Sequence, residues 1–183
     1  MDKIVTVENK KDEKFLRKKT EEFDFKKFSR PEIRELIVKM KKAMRQARGI
    51  GLSANQIGLN MRVFIVKIQK IDRRGNTRSL SASEQKFYAV FNPEITKYSK
   101  ETALMEEGCL SVPGVYGAVE RPEKVMLTGF DKNGKRIRIK AWGLLAKVFQ
   151  HEIDHLNGKL FIDRAKELYH VPVSERLKEK SDV

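Results

Sequence analysis

One short stretch, residues 150–158 (QHEIDHLNG), constrains the fold of this chain more than any other. His151 and His155 are four residues apart, so on a helix both imidazoles lie on one face and can reach one metal ion. Glu152 lies beside the first histidine, where its carboxylate can accept a proton from a water molecule on that ion. The pattern predicts a helix from about Gly143 to Asn157, with Gly158 at its C-cap. The same helix has a wide apolar surface, formed by Leu144, Leu145, Val148, Phe149 and Leu156. The sequence therefore predicts a metal-binding helix that is buried in a sheet-lined core.

Two histidines do not complete a catalytic metal site, which normally has three protein ligands and one open position. Phe161 stands where one class of metalloprotease carries a third histidine, and this excludes that class. Glu167, His170 and Glu175 follow the helix, and each is better explained as a surface residue than as a ligand.

The best candidate for the third ligand is Cys109, the only cysteine in the chain. It lies in residues 107–114 (EGCLSVPG), where glycine and a Pro-Gly turn make the backbone irregular and open to close approach. A thiolate is a good ligand for zinc or ferrous iron. A nucleophilic cysteine with a histidine base is the rival interpretation, but it leaves the second histidine and Glu152 without a role.

A third unusual segment covers residues 49–58 (GIGLSANQIG) and lies between a patterned helix and an apolar run. It has neither the GKS/T sequence of a phosphate loop nor the preceding strand of a dinucleotide loop. We interpret it as a loop that presents backbone amides and the Gln56 carboxamide to a polar substrate.

Together, residues 49–56, 107–111 and 150–155 resemble the three signature motifs of the peptide deformylase family, in the family's order. The likeness extends from the helix near Pro31 to about Asp163, and residues 2–25 match poorly. It implies an enzyme that removes the formyl group from the N-terminal formyl-methionine of newly synthesised polypeptides and releases formate. A metal-bound water would attack the formyl carbon.

The resemblance also implies roles for individual residues of this chain. Cys109, His151 and His155 match the metal ligands, and Glu152 matches the catalytic general base and acid. Gln56 and the backbone amide of Leu110 match the pair that stabilises the oxyanion. The substrate contacts fall on Ile50, Gly51, Gly108 and Arg121, and the walls of a methionine pocket on Ile50, Val148 and Leu110.

Two positions depart from the family's usual residues. Ser53 stands where alanine is commoner, and Lys147 stands where arginine or an apolar residue is common. We expect both changes to leave the catalytic positions intact. The resemblance points to one divalent metal ion, Fe²⁺ in the cell, although a site of one sulfur and two nitrogen ligands also accepts Zn²⁺, Ni²⁺ or Co²⁺.

The length of 183 residues suggests a single α+β domain, residues 1–183, with antiparallel or mixed sheets packed around the metal-binding helix. Residues 1–28 form its poorly matched N-terminal segment and residues 174–183 a short tail. No apolar run approaches eighteen residues, and the charged N-terminus does not resemble a signal peptide. One cysteine permits no internal disulfide, so we expect a cytoplasmic protein without a membrane partner.

The formal net charge of +14 has two interpretations. It is either a lysine-rich solubilising surface or a source of attraction to polyanions, which would allow weak electrostatic association with the ribosome. The chain has no recognisable nucleic-acid motif or aromatic stacking pattern, so sequence-specific nucleic-acid binding is not expected.

The remaining elements are predicted from periodicity and turn signals. Residues before Ser29 are expected to be partly ordered at most. A helix should begin at Ser29 and Pro31 and end at Gly49. Its core face would be formed by Ile33, Leu36, Ile37, Met40, Met44 and Ala47. Strands are predicted at residues 62–68 and from Phe87, with a surface loop at 72–86, a hairpin joining 124–130 to 136–141, and an exposed tail after Val173.

Two other functions compete with this interpretation. The first is a different metallo-amidase or peptidase that uses the same Cys/His/His site. The second is a basic ribosome-binding protein whose metal ion is structural. A structural zinc site usually has four protein ligands, and the absence of a convincing fourth ligand in the sequence favours an enzyme.

Overall fold

The computed structural model describes residues 3–69 and 85–171. Within these ranges the chain forms helices α1 (Lys10–Leu16), α2 (Arg30–Gln46) and α3 (Gly143–Leu156). Its strands are β1 (Gly51–Ser53), β2 (Val63–Gln69), β3 (Gln85–Tyr98), β4 (Thr102–Cys109), β5 (Val112–Pro122), β6 (Lys124–Phe130), β7 (Arg136–Trp142) and β8 (Leu168–His170). Short 3-10 helices cover Phe25–Lys27, Ala54–Ile57 and Phe161–Asp163.

The strands form two antiparallel sheets, one of five strands in the order β1-β2-β3-β6-β7 and one of three in the order β4-β5-β8. Helix α3 contacts both sheets. The predicted α+β fold, with sheets packed around the helix that carries the two histidines, is confirmed. Strands β1 and β4 are the edge strands of their sheets. In the described part of the chain, no helix combines the length and apolar character needed to cross a membrane.

Strand β2 shows why the five-stranded sheet is covered on both faces. Phe64 and Val66 belong to the core shared with α3, whereas Val63 and Ile65 belong to the core shared with α2. Alternate side chains of a strand point to opposite faces, so two buried faces require an apolar run without polar interruptions. The sheet is therefore a middle layer between α2 and α3.

Helix α2 begins where the sequence predicts. Ser29 is its N-cap: the Ser29 hydroxyl accepts a hydrogen bond from the Glu32 amide, and the Glu32 carboxylate accepts one from the Ser29 amide. This capping box satisfies two amides that the first helical turn leaves without partners.

The predicted end of α2 at Gly49 was wrong. The helix ends at Gln46, the left-handed residue is Arg48 (φ 55°), and the Gly49 amide donates to the Met44 carbonyl at 2.9 Å. This 6→1 hydrogen bond closes the helix one turn position earlier than a glycine cap at residue 49 would. Gly49 is needed for close approach instead, because a Cβ atom there would lie 2.8 Å from Cδ1 of Leu110.

The predicted hairpin is confirmed as β6 and β7, which pair from Lys124↔Trp142 to Phe130↔Arg136. The strand predicted from Phe87 begins two residues earlier, at Gln85. Most of the predicted surface loop at residues 72–86, and the tail after Val173, lie outside the described residues.

The N-terminal segment is well packed, which corrects the expectation that it is only partly ordered. Asn9 caps α1, and Leu16 at its end is fully buried. Phe23 is also buried and stacks on Phe28, with ring centroids 4.7 Å apart. Apolar residues are sparse in this charged segment, so no periodic pattern announced the contacts that they make.

The first described residues also reach two of the sequence motifs. The Val5 amide donates to the Gln56 carbonyl, and the Val7 amide donates to the Ser111 carbonyl, each at 2.9 Å. The N-terminal segment therefore connects the loop that contains Gln56 to the turn that follows Cys109.

Leu16→Ala tests whether this segment contributes to stability. Because Leu16 is fully buried, we expect the substitution to lower the free energy of unfolding by about 2–5 kcal/mol. Leu104→Ala is the matched control, since Leu104 is 56% exposed and should change stability by less than about 0.5 kcal/mol. Urea denaturation followed by circular dichroism measures both, and equal midpoints for the two variants would contradict the assignment.

Candidate active site

Two elements bring the predicted metal ligands together. Helix α3 carries His151 and His155 one turn apart, and β4 ends at Cys109, where the register with β5 is irregular. One nitrogen of each histidine and Sγ of Cys109 lie within 4.8 Å of one another. Cys109 Sγ is 3.1 Å from Nε2 of His155, and the two imidazole rings are 4.9 Å apart at an angle of 74°.

A carboxylate fixes the orientation of the His151 ring. Nδ1 of His151 lies 3.0 Å from Oε2 of Glu107, so Nδ1 carries the proton that it donates to this carboxylate. The Nε2 lone pair of His151 is then available to a metal ion. Glu107 is only 10% exposed, and it therefore holds the ring in a site largely removed from solvent.

Glu107 is in turn part of a buried ion-pair network. The Arg121 guanidinium donates to both Glu107 oxygens, at 2.5 and 2.9 Å, and to Oδ2 of Asp154 at 2.8 Å. Arg164 binds Asp154 from the other side. Burial raises the pKa of Glu107, but the hydrogen bonds from Arg121 and His151 lower it more, to about 2. Glu107 is therefore a stable carboxylate partner for His151.

The network corrects the predicted role of Arg121. Its side chain is 3% exposed, and its guanidinium is committed to Glu107 and Asp154. Arg121 does not line the cleft described below, so the structure places it behind His151 and not beside a substrate.

The surroundings of Cys109 favour a thiolate. Burial raises the pKa of the thiol, but the imidazoles of His155 and His151 lower it more, to well below its usual value. The Ser111 amide also points at Sγ, at 3.3 Å. Conversely, burial lowers the pKa of His151, while Cys109 and Glu107 raise it further. A metal cation would replace the proton on His151 and interact with the thiolate directly.

Glu152 is buried next to this group, with 3% of its surface exposed. Burial raises the pKa of its carboxyl above the ordinary value of 4.5, against the opposing effect of His151 and His155. Its Oε2 accepts a hydrogen bond of 2.6 Å from the Ser53 hydroxyl. A Cβ atom at Gly51 would lie 2.3 Å from Oε1 of Glu152, so only glycine leaves room for the carboxylate there.

Gln56 is held with its amide nitrogen towards the cysteine. Its Oε1 accepts from the Ser53 amide at 2.9 Å, while Nε2 donates to the Ser111 hydroxyl at 3.1 Å and lies 3.6 Å from Cys109 Sγ. Because the carbonyl end is occupied, the end that faces the centre is a hydrogen-bond donor.

These groups face a cleft of about 250 Å³. It is lined by Ala47, Arg48, Gly49, Ile50, Gly51, Gln56, Gly108, Cys109, Leu110, Tyr116, His151 and Glu152. Eight of the ten site residues predicted from the sequence are therefore brought to one cavity. His155, which is 1% exposed, and Arg121 do not line it. Val148 does not line it either, although its Cγ1 would lie 3.0 Å from a Cβ atom at Gly51.

The donor set fits one divalent ion with an open coordination position. A thiolate and two imidazoles are good ligands for Fe²⁺ and Zn²⁺. Within residues 3–69 and 85–171, the group that could hold a metal contains Cys109, His151 and His155 and no fourth Asp, Glu, His or Cys. Three protein ligands beside a cleft are typical of catalytic metal sites, whereas structural sites usually have four.

Sequence reasoning missed the residues that support this centre. Ser53 was expected to be a neutral replacement, yet its hydroxyl binds Glu152 and its amide binds Gln56. Glu107 lies in a quoted motif but received no role, and Asp154 lies between the two histidines. A charged residue inside an otherwise buried helix was the available signal for Asp154, because such a residue needs a partner.

Comparison with known proteins gives the same pattern of similarity. A sequence model of the polypeptide deformylase family matches residues 1–170, which include the N-terminal segment that sequence analysis left unassigned. The peptide deformylase of Treponema pallidum (strain Nichols) is 43% identical over 136 residues, which is 74% of this chain and 75% of the relative.

Solved structures are similar as well. The crystal structure of a probable peptide deformylase from Synechococcus phage S-SSM7 aligns with a TM-score of 0.75 and 39% identity, over 90% of this chain and 99% of the phage protein. The Met-Ala-Ser bound crystal structure of a class I type b peptide deformylase from Acinetobacter baumannii aligns with a TM-score of 0.74 and 29% identity, over 88% and 96%.

Glu107→Gln tests the support of the metal centre. Because Glu107 orients His151, we expect the substitution to weaken divalent-metal affinity by about 10–100-fold. Glu106→Gln is the matched control, since the neighbouring carboxylate contacts Tyr169 and not a ligand. Competition with a chromophoric chelator measures the affinities. Equal affinities for the two variants would show that Glu107 does not position the ligand.

Proposed function

Because the chain belongs to the polypeptide deformylase family, which removes the N-formyl group of nascent polypeptides, we propose how its cleft residues divide this reaction. The observation that carries the proposal is the buried Glu152 carboxylate beside the Cys109, His151 and His155 donors, in one cleft. Hydrolysis needs an activated water, stabilisation of charge on the formyl oxygen, and a place for the peptide.

The family is metal-dependent, and Cys109, His151 and His155 are the residues that would hold the ion. A divalent cation bound there acts as a Lewis acid towards the water and the formyl carbonyl. We propose Fe²⁺ as the cellular ion, since thiolate and imidazole donors suit it. Protein purified without oxygen should then contain iron and lose activity in air. Full activity that is insensitive to air, with Zn²⁺ as the only bound metal, would contradict this choice.

Glu152 is proposed as the proton carrier. Its raised pKa and burial suit a general base, which accepts a proton as the water oxygen bonds to the formyl carbon. When the carbon–nitrogen bond breaks, Glu152 returns that proton to the departing amine, leaving formate and a free N-terminus. The Ser53 hydroxyl keeps the carboxylate in place during both transfers.

Gln56 and Leu110 are proposed to stabilise the oxyanion. The Gln56 amide nitrogen already faces the centre, because Ser53 holds its carbonyl end. Leu110 directly follows Cys109 and lines the same cleft, which brings its backbone amide close to the reacting group. Loss of one such donor typically lowers the rate by roughly 100-fold or more.

The edges of the two sheets offer a place for the peptide backbone. Gly51 lies on edge strand β1 and Gly108 on edge strand β4, and both line the cleft. An extended peptide can add to such edges through main-chain hydrogen bonds. Ile50 and Leu110 provide apolar surface for the methionine side chain. The Met-Ala-Ser complex of the Acinetobacter baumannii relative supports binding of a peptide of this kind.

The alternative functions have less support. A structural metal in a ribosome-binding protein does not explain the cleft, the buried carboxylate or the family. A weak, salt-sensitive association with the ribosome remains compatible with the net charge of +14, and cosedimentation at increasing salt tests it. We also propose a cytoplasmic location, where nascent formylated chains are made.

Glu152→Gln separates catalysis from metal binding. The amide keeps the size of the side chain but cannot carry the proton, so formate release from formyl-Met-Ala should fall by at least about 100-fold at unchanged metal content. Glu35→Gln, at an exposed position of α2, is the control and should retain full activity. Normal turnover by Glu152→Gln would remove the carboxylate from the mechanism.

A further inference from the structure

A second and larger cavity, of about 630 Å³, lies beside the cleft. We call it the basic groove. It is lined by Val38, Lys41, Lys42, Met44, Arg45, Arg48, Gly49, Lys67 and Phe87. These residues come from one face of α2, from the connection to β1 and from strands β2 and β3. Nothing in the proposed chemistry uses this cavity.

The groove is strongly cationic. Five of its lining residues are Lys or Arg, and no described Asp or Glu lines it. The sequence itself contains no acidic residue from position 36 to position 71. Like charges held close together repel, and an anionic ligand would relieve that repulsion. The charge therefore favours a negatively charged occupant.

The groove also has an apolar floor that orders one of its cations. Phe87 lies beneath Lys41, whose Nζ is 3.7 Å from the ring centroid. Val38 is 63% exposed on the same face of α2, one turn before Lys42. A mixture of cations and apolar surface suits a peptide, which presents both acidic side chains and aliphatic groups.

The position of the groove identifies which peptide. Arg48 and Gly49 line both the groove and the cleft, so the two cavities are adjacent. The Lys67 amide also donates to the carbonyl of Ile50, which ties the groove to the cleft wall. A polypeptide with its formyl end at the metal centre has a route from the cleft into the groove.

We propose that the basic groove binds acidic side chains of the substrate polypeptide, a few residues after its formyl-methionine. This inference rests on the proposed function, because the formylated end must lie in the cleft. An extended chain advances about 3.3 Å per residue, so the third to fifth residues lie roughly 10–17 Å from the formyl group. Substrates with Asp or Glu at these positions are processed faster than neutral ones. Adjacency to the cleft favours this peptide over a nucleic acid.

The test uses formyl-Met-Ala-Ser-X-X-Ser peptides with X as Glu, Gln or Lys. For the wild type in low salt, we expect kcat/KM to be about 3–10-fold higher for Glu than for Gln, through KM, and lowest for Lys. The advantage should shrink as salt rises to 0.5 M, because exposed charges are screened. Equal kcat/KM values for the three peptides in low salt would overturn the proposal.

A charge-matched pair of variants locates the effect. Lys41→Gln/Lys42→Gln/Arg45→Gln should reduce the Glu-to-Gln ratio to about 1. The control Lys97→Gln/Lys124→Gln/Lys140→Gln removes the same charge from exposed residues that line neither cavity, and it should keep the ratio. A ratio that falls equally in both variants would show that net charge, and not the groove, is responsible, and would overturn the proposal.

Activity on formyl-Met-Ala, which is too short to reach the groove, distinguishes the two levels of the argument. All variants should cleave it at the wild-type rate, which also reports correct folding. No cleavage by metal-loaded wild type would refute the proposed function itself. Adding a short single-stranded RNA tests the other occupant. Inhibition of the Glu peptide that disappears in the groove variant, together with a wild-type ratio of 1, would assign the groove to nucleic acid.

Discussion

The Arg121 guanidinium holds three elements of this protein in register. Through Glu107, Asp154 and its own place on β5, it joins β4, β5 and α3 at the point where the metal ligands meet. Buried charges are costly to desolvate, and removing one partner of such a network leaves the others uncompensated. The network therefore restricts how α3 can sit between the sheets. Since Glu107 also binds His151, the same restriction sets the direction of a ligand nitrogen.

A second arrangement serves the reactive groups themselves. Ser53 uses its amide to turn the Gln56 carboxamide and its hydroxyl to hold Glu152. Gly51, two residues earlier, leaves the space that the carboxylate occupies. One short strand thus determines the position of a proton carrier and of a hydrogen-bond donor. Because both groups are buried, they need little rearrangement when charge develops in the cleft.

Sequence patterns predicted the elements whose signals are local. The capping box of Ser29, the Asn-Gly turn before β7 and the alternating burial of β2 depend on neighbouring residues, and each was found as expected. The metal ligands were predictable because their chemistry restricts residue type and spacing. The helix end at Arg48 was not, since Gly49 is held by its contact with Leu110, a residue distant in sequence.

The roles of the supporting residues were likewise hidden by distance along the chain. Arg121 was assigned to the substrate because a conserved-looking arginine near a cleft is often a binding residue, but its partners come from β4 and α3. Leu16 and Phe23 lie in a charged segment whose apolar residues have no regular spacing, so their burial depended on surfaces formed elsewhere.

The hydrogen bonds from Val5 and Val7 have a consequence for how opening of the cleft can be observed. These two amides are protected by carbonyls of Gln56 and Ser111, which belong to the loops on either side of Cys109. They can exchange their protons with solvent only when the N-terminal segment lifts away from those loops. Deuterium uptake at residues 5 and 7 is therefore a remote reporter of loosening at the centre, visible without a substrate or a metal signal.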